Sequence, residues 1–266
     1  MTSTSKPVDA HNGTTGTPAE RDAAGGVYDA DVAPKEAILH DPAQIFENHP
    51  GTRPHMTSPV LIIVMGVSGC GKSTVGQRLA DKFRIQFVDG DSLHPTSNIQ
   101  KMSAGTPLTD EDRFPWLGII RKEAAKQTTR EALHEFYHGN NLKDPEQPRA
   151  GIVIACSALK RSYRDILRGT THEAVELDQS HAELDTHFLF LNGTREVLMK
   201  RMESRKGHFF SPKMLDSQLQ TLEPPSNKEE NTQGIVEVNI DQPIDSLVDE
   251  AAKRLSELTG LKVLED

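Results

Sequence analysis

Residues 66–73, GVSGCGKS, constrain this chain more than any other stretch. They follow a continuous apolar run, Val60–Met65, and open a segment in which Val75, Leu79 and Phe83 recur at four-residue spacing. A strand that turns through glycines into an amphipathic helix aims curled backbone N–H groups and the positive end of the helix at one point, which suits a polyphosphate. The pattern is G-x-x-x-x-G-K-[ST], and at average composition its fixed positions recur by chance in roughly one chain in a hundred of this length. Gly66, Ser68, Gly69, Cys70, Gly71, Lys72, Ser73 and Thr74 are therefore read as a nucleotide-polyphosphate cradle. Lys72 lies along the β and γ phosphates and Ser73 binds Mg2+. Cys70 is most simply a spacer that contributes backbone; a redox role is the weaker reading.

Around the cradle the hydrophobic period alternates. Apolar runs at 60–65, 85–88, 152–156, 187–191 and 235–240 are continuous, as expected of strands buried on both faces of a parallel sheet. Between them lie helical patterns. Ile244 pairs with Val248 and Ala251 with Leu255; Ser211 followed by Pro212 starts a helix carrying Met214, Leu215, Gln218, Leu219 and Leu222. Thr109 caps a start before Pro115, and 116–137 reads as helix. The alternation predicts an α/β fold, a five-stranded parallel sheet with helices on both faces. Residues 1–58, rich in Thr, Ala, Gly, Asp and Pro, read as a disordered N-terminal extension, in which 37–46 (Ile38, Leu39, Ile45, Phe46) is the stretch best suited to dock. The folded domain is 59–266, with polar insertions at 138–150 and 171–185.

Several functions are disfavoured. Thirty Lys and Arg against 39 Asp and Glu leave a net charge of −9, unlike the basic face that nucleic acid requires. The longest apolar run, 59–65, falls short of a membrane span. Cys70 and Cys156 make neither a disulfide framework nor a zinc site, and no apolar signal core follows Met1, so a cytoplasmic location is expected. No D-x-x-G follows the cradle, 239–242 is NIDQ instead of N-K-x-D, and strand 152–156 ends at Ser157 instead of an acidic pair. GTPase switches and motor ATPases recede, leaving a small-molecule kinase with an acceptor pocket and a mobile lid.

The acceptor side begins at the carboxyl end of the second strand with Asp89, Gly90, Asp91, Ser92, Leu93 and His94, where open α/β sheets bind ligands. Asp89 is assigned to the metal and Asp91, farther out, to the attacking hydroxyl; an Asx turn or helix cap is the bland reading of Asp91. GDSLHPTSNIQKMSAGTPLTDEDRFPWL (90–117) resembles the signature of the gluconokinases, ATP-dependent kinases of D-gluconate related to shikimate and nucleoside-monophosphate kinases. ACSALKRSYRDILRG (155–169), RKGHFFSPKMLDSQLQTLEPP (205–225) and NIDQP (239–243) resemble further blocks of that family in order. The resemblance covers residue 60 to the end. It implies a P-loop, nucleoside-monophosphate-kinase-like three-layer fold and phosphorylation of D-gluconate to 6-phospho-D-gluconate with Mg2+, feeding the pentose phosphate route.

A sugar acid needs cations and small polar groups. His94, Lys101, Arg113 and Lys160 leave the ends of strands 2 and 3, and Arg113 is the first choice for the carboxylate because its planar fork binds bidentately. Lys101 reads almost equally as a solvated helix face, His94 as a packing residue, and Trp116 as core with a pocket wall second. Arg201, Arg205, Lys206 and His208 form a basic cluster where the family carries its lid, about 201–212. Arg205 is assigned to the transferring phosphate, Arg201 to ATP and His208 to the acceptor, while Phe209 and Phe210 exclude water. Residues 239–243, with Gln242 and Pro243, border the adenine. The rivals are another hydroxy-acid kinase, shikimate-kinase-like, and a nucleotide-sensing regulator without transfer. No nucleic acid or membrane partner is expected, and a homodimer is left open.

Overall fold

The computed structural model describes residues 58–138, 150–171, 183–203, 212–225 and 234–264. The expectations for the extension, for most of both insertions, and for Arg205, Lys206, His208, Phe209 and Phe210 lie outside these residues.

Among the described residues one parallel sheet has the order β2-β3-β1-β4-β5. Strand β1 (Val60–Met65) is central and buried throughout, with β3 (Gly151–Ala155) on one side and β4 (Asp185–Asn192) on the other. Val60 sits opposite both Gly151 and Asp185. Strands β2 (Gln86–Asp89) and β5 (Ile235–Asn239) form the edges. Here the expectation of two-faced burial is corrected. No residue of β2 is fully buried, and β5 alternates buried with exposed positions, because an edge strand has a neighbour on one side only.

Alternate residues of β1 feed two cores. Val60, Ile62 and Val64 join α1 (Lys72–Phe83) and α7 (Ile244–Thr259), whereas Leu61, Ile63 and Met65 join α3 (Asp110–His138) and α4 (Arg161–Arg168). Truncating any of these to alanine costs about 2–5 kcal/mol. Arg84, in the left-handed conformation (φ 50°), stops α1, returning its N–H to Ala80 and Asp81 carbonyls. On the first of these faces Lys82 pairs with Asp249 at 3.0 Å.

Helix α3 starts directly after Thr109, as expected, and runs through Pro115 as one element. Its start is fixed by reciprocal bonds, Thr109 N–H to Asp112 Oδ2 (3.0 Å) and Asp112 N–H to Thr109 Oγ1 (3.4 Å). A proline inside a helix costs about 3 kcal/mol. Burial of Trp116, Leu117, Ile120 and Ala124 just beyond it offsets that loss. The remaining described helices are α2 (Thr96–Ser103), α5 (Arg195–Glu203) and α6 (Pro212–Thr221). Among the described residues, no helix is long and apolar enough to cross a membrane.

Candidate active site

The cradle leaves β1 on the central axis of the sheet. Gly69 has φ 83°, and a Cβ there would lie 2.6 Å from Met202 Cγ, so this turn admits only glycine. Gly71 is the N-cap of α1, and the first turn holds no acidic residue; a glycine cap leaves the helix amides available to an anion. Lys72 Nζ donates to the Gly66 and Val67 carbonyls, each at 3.1 Å. The ammonium thus lies along the loop whose ligand it is expected to meet. Arg201 donates to Cys70 O (3.2 Å) and to Ile240 O, so it ties the cradle to the 239–243 turn. In that turn Gln242 Nε2 donates to Asn239 O (2.9 Å) and Glu250 Oε2 (3.0 Å), and Pro243 caps α7. Cys70 is fully buried in the loop. That supports the spacer reading over redox chemistry, which needs exposure.

Asp89 closes β2 against the cradle. Ser73 Oγ donates to its Oδ2 at 2.7 Å, while its Oδ1 accepts from Asp91 N–H at 3.1 Å. The second bond caps a 3₁₀ turn, Gly90–Leu93. A Cβ on Gly90 would lie 2.4 Å from Ala155 O, so the turn presses on the end of β3. Asp91 extends from it with its side chain 85% exposed. The Asx-cap reading therefore belongs to Asp89, and the carboxylate of Asp91 projects to solvent.

Beneath the turn, His94 stacks on Trp116 with ring centroids 3.9 Å apart. Its Nδ1 is 3.3 Å from Asn98 Nδ2 and its Nε2 is 3.9 Å from Asp91 Oδ1. Burial pulls the His94 pKa below the ordinary value, Asp91 opposes this, and Arg113 adds to it. Trp116 is 3% exposed and donates Nε1–H to Gly90 O at 2.9 Å. The core reading holds, and the indole also backs the turn that presents Asp91. Cys156, buried at the end of β3, has its thiol pushed up to about 12 by burial and stays protonated.

Lys101, Arg113 and Lys160 each meet a partner within the protein. Lys101 pairs with Asp112 at 2.5 Å. Arg113 donates to the Leu108 carbonyl and to Thr109 O (3.3 Å), and stands 5.9 Å from the Tyr163 ring centre. Lys160 Nζ grips both oxygens of Asp110 (2.9 and 2.7 Å), which also accepts from the Tyr163 hydroxyl at 2.5 Å. The hydrogen bonds from Lys160 and then Tyr163 hold the Asp110 carboxyl below its usual range, and the bond to Asp110 raises Lys160. Asp110, Asp112, Tyr163 and Gln218, which bonds the cradle at Ser68, were not singled out as site residues by the sequence. The run Asp110, Glu111, Asp112 behind Thr109 was the available signal, and it reads as an ordinary acidic first turn.

Ser73 Oγ and Asp89 offer hard oxygen donors, and among the described residues no group of three or more His, Cys, Asp or Glu could hold a metal ion. That donor set suits a cation that takes one or two protein oxygens and completes its shell from phosphate and water.

A parallel sheet with this cradle and a carboxylate-bearing turn at the end of the neighbouring β-α segment defines a P-loop small-molecule kinase. Residues 68–114 match the family model described as shikimate kinase. A probable gluconokinase of Xenopus tropicalis is 40% identical over 194 residues, 72% of this chain and 90% of the relative. The thermosensitive gluconokinase of Escherichia coli K12 is 38% identical over 189 residues, covering 71% and 83%. The crystal structure of a gluconokinase from Sinorhizobium meliloti 1021 superposes with TM-score 0.56 at 39% identity, over 76% of this chain and 94% of that one. The chain belongs to the gluconokinase family.

Proposed function

We propose that this protein transfers the γ-phosphoryl group of ATP to the primary hydroxyl of D-gluconate, giving ADP and 6-phospho-D-gluconate. The observation that carries the reading is the pairing of Ser73 with Asp89 and the exposed position of Asp91 two residues on, which sets an acceptor carboxylate beside the donor cradle. The acceptor hydroxyl oxygen forms the new bond to phosphorus. The bond from phosphorus to the β–γ bridging oxygen breaks, its electron pair leaves with ADP, and Asp91 takes the hydroxyl proton. Lys72 and Arg205 balance the charge that spreads over the transferring group, and Arg201, Gln242 and Pro243 border the nucleotide. Ser73 and Asp89 would hold Mg2+, which when bound neutralises phosphate charge.

Arg113, with Lys160 and Lys101, receives the gluconate carboxylate, His94 and His208 line the pocket, and the hydroxyl at the opposite end of the substrate then faces Asp91. The family membership favours this acceptor over a shikimate-like one. Release of ADP across a panel of sugar acids and shikimate tests it. Gluconate should be turned over at least tenfold more efficiently than the others; equal or better use of shikimate would overturn the assignment, and ATP binding without ADP release would favour the regulator.

A further inference from the structure

Helix α6 touches both halves of the site. Leu215 is buried, Leu219 and Leu222 pack on the core, and Asp216 makes a two-pronged pair with Arg195 of α5 at 2.5 and 3.1 Å. From this anchored helix Gln218 Oε1 accepts the Ser68 N–H of the cradle at 2.6 Å. Just past its end, Glu223 N–H donates to Leu159 O at 2.8 Å, and Glu223 Oε2 accepts Arg161 N–H at 2.7 Å. Arg161 opens α4, and its N-cap, Lys160, makes no side-chain cap bond. A carboxylate far away in sequence therefore accepts a first-turn amide of α4.

The loop it grips is stiff. Ala158 is held at φ 42°, rare for a residue with a Cβ, and buried Arg164 donates Nη1–H to Ala158 O (3.2 Å) and Leu159 O (3.3 Å). Lys160 on that loop carries the Asp110 and Tyr163 cluster. A displacement of the α6 end would thus move Lys160 and its contacts to Asp110 and Tyr163.

We propose that the C-terminal part of α6 is a strut that registers the phosphate cradle against the acceptor loop, with Gln218 in its last turns and Glu223 just beyond its end as positioning residues. The inference deepens the kinase reading and depends on it only for the identity of the acceptor. Nucleotide in the cradle fixes Ser68, Ser68 fixes Gln218, and α6 then holds Glu223 on the first turn of α4. Parallel routes run through backbone bonds, from Gly66 N–H to Ser157 O at 3.2 Å and from Cys156 N–H to Val64 O at 3.1 Å, and the test must separate these from the helix.

The test is amide hydrogen exchange over 157–163, with and without a saturating non-hydrolysable ATP analogue. In the parent the analogue should slow exchange at Arg161 about threefold to tenfold, the range of typical coupling. In Q218A the analogue still binds but the slowing is lost; Q218E, which keeps an acceptor for Ser68 N–H, restores it. In E223A the response of this amide to the analogue is lost. Slowing that persists in Q218A would assign the coupling to the backbone bonds and overturn the strut, as would no response in the parent. Turnover supplies a second arm: a strut is broken once, so the Q218A/E223A double variant should be no slower than the worse single variant, whereas additive losses mean two local contacts. Failure of gluconate as substrate would sink the acceptor assignment and leave the exchange result standing.

Discussion

The donor half of the site is made of backbone, and the acceptor half of side chains. In the cradle, glycine torsions and the glycine-capped start of α1 shape the loop, and its own cation, Lys72, rests on carbonyls of the same loop. On the acceptor side Lys101, Arg113 and Lys160 are held by Asp112, by the carbonyls of Leu108 and Thr109, and by Asp110. An incoming polyphosphate meets donors already aimed at it. An incoming sugar acid must compete with the protein's own acids for Lys101 and Lys160 and with backbone carbonyls for Arg113. The first arrangement favours tight, unselective phosphate binding and the second selectivity, because only a carboxylate placed as well as the internal one can replace it.

The largest expected effect breaks the donor side. Lys72→Ala should lower turnover about 10³-fold or more, because the ammonium matters most when charge develops on the transferring group. The melting curve should scarcely move, since Lys72 bonds only two carbonyls of its own loop. Next is Asp91→Asn, expected to lower kcat about 10²-fold while the dissociation constant of an ATP analogue stays put. An unchanged kcat would return Asp91 to a structural role.

The acceptor side should respond in KM. Arg113→Lys keeps the charge and loses the planar fork, so the gluconate KM should rise about tenfold with kcat little changed. Asp110→Asn sharpens the contrast: with the internal competitor neutralised, Lys160 is freer to meet substrate and the gluconate KM should fall severalfold. A rise instead would show that Asp110 serves to aim Lys160.

The smallest effect is a pH dependence of stability. Burial lowers the His94 pKa in the fold, so the unfolded chain binds the proton more readily, and stability is full above the unfolded value near 6.5. It declines as pH falls through that value toward the folded one. Thermal melts of the parent and His94→Gln between pH 7.5 and 5 should converge toward acid, and a constant gap would remove His94 as the source.

The same contrast explains what was legible. A backbone cradle needs glycines at fixed spacing, so 66–73 announced itself, as did Asp89 and Asp91 at a strand end. Continuous apolar runs announced the sheet, but edge exposure depends on strand order, which no run of residues encodes. The partners of the acceptor cations were hidden because they are chosen by tertiary contact. Asp110 meets Lys160 across 50 residues and Ser68 meets Gln218 across 150. Helix α3 was legible on both sides of Pro115, whereas the burial that carries it through the proline was not.

Trp116 is the chain's one tryptophan, and its position has an optical consequence. Its indole lies flat against the His94 imidazole and is pinned to the carbonyl immediately before Asp91. Light absorbed by the indole is therefore reported from beneath the turn that carries Asp91. A protonated imidazole in contact quenches such emission, so the brightness of the unliganded protein should titrate with His94. A sugar acid settling against the turn should change it again, which lets acceptor binding be followed in the absence of ATP, without a label and without turnover.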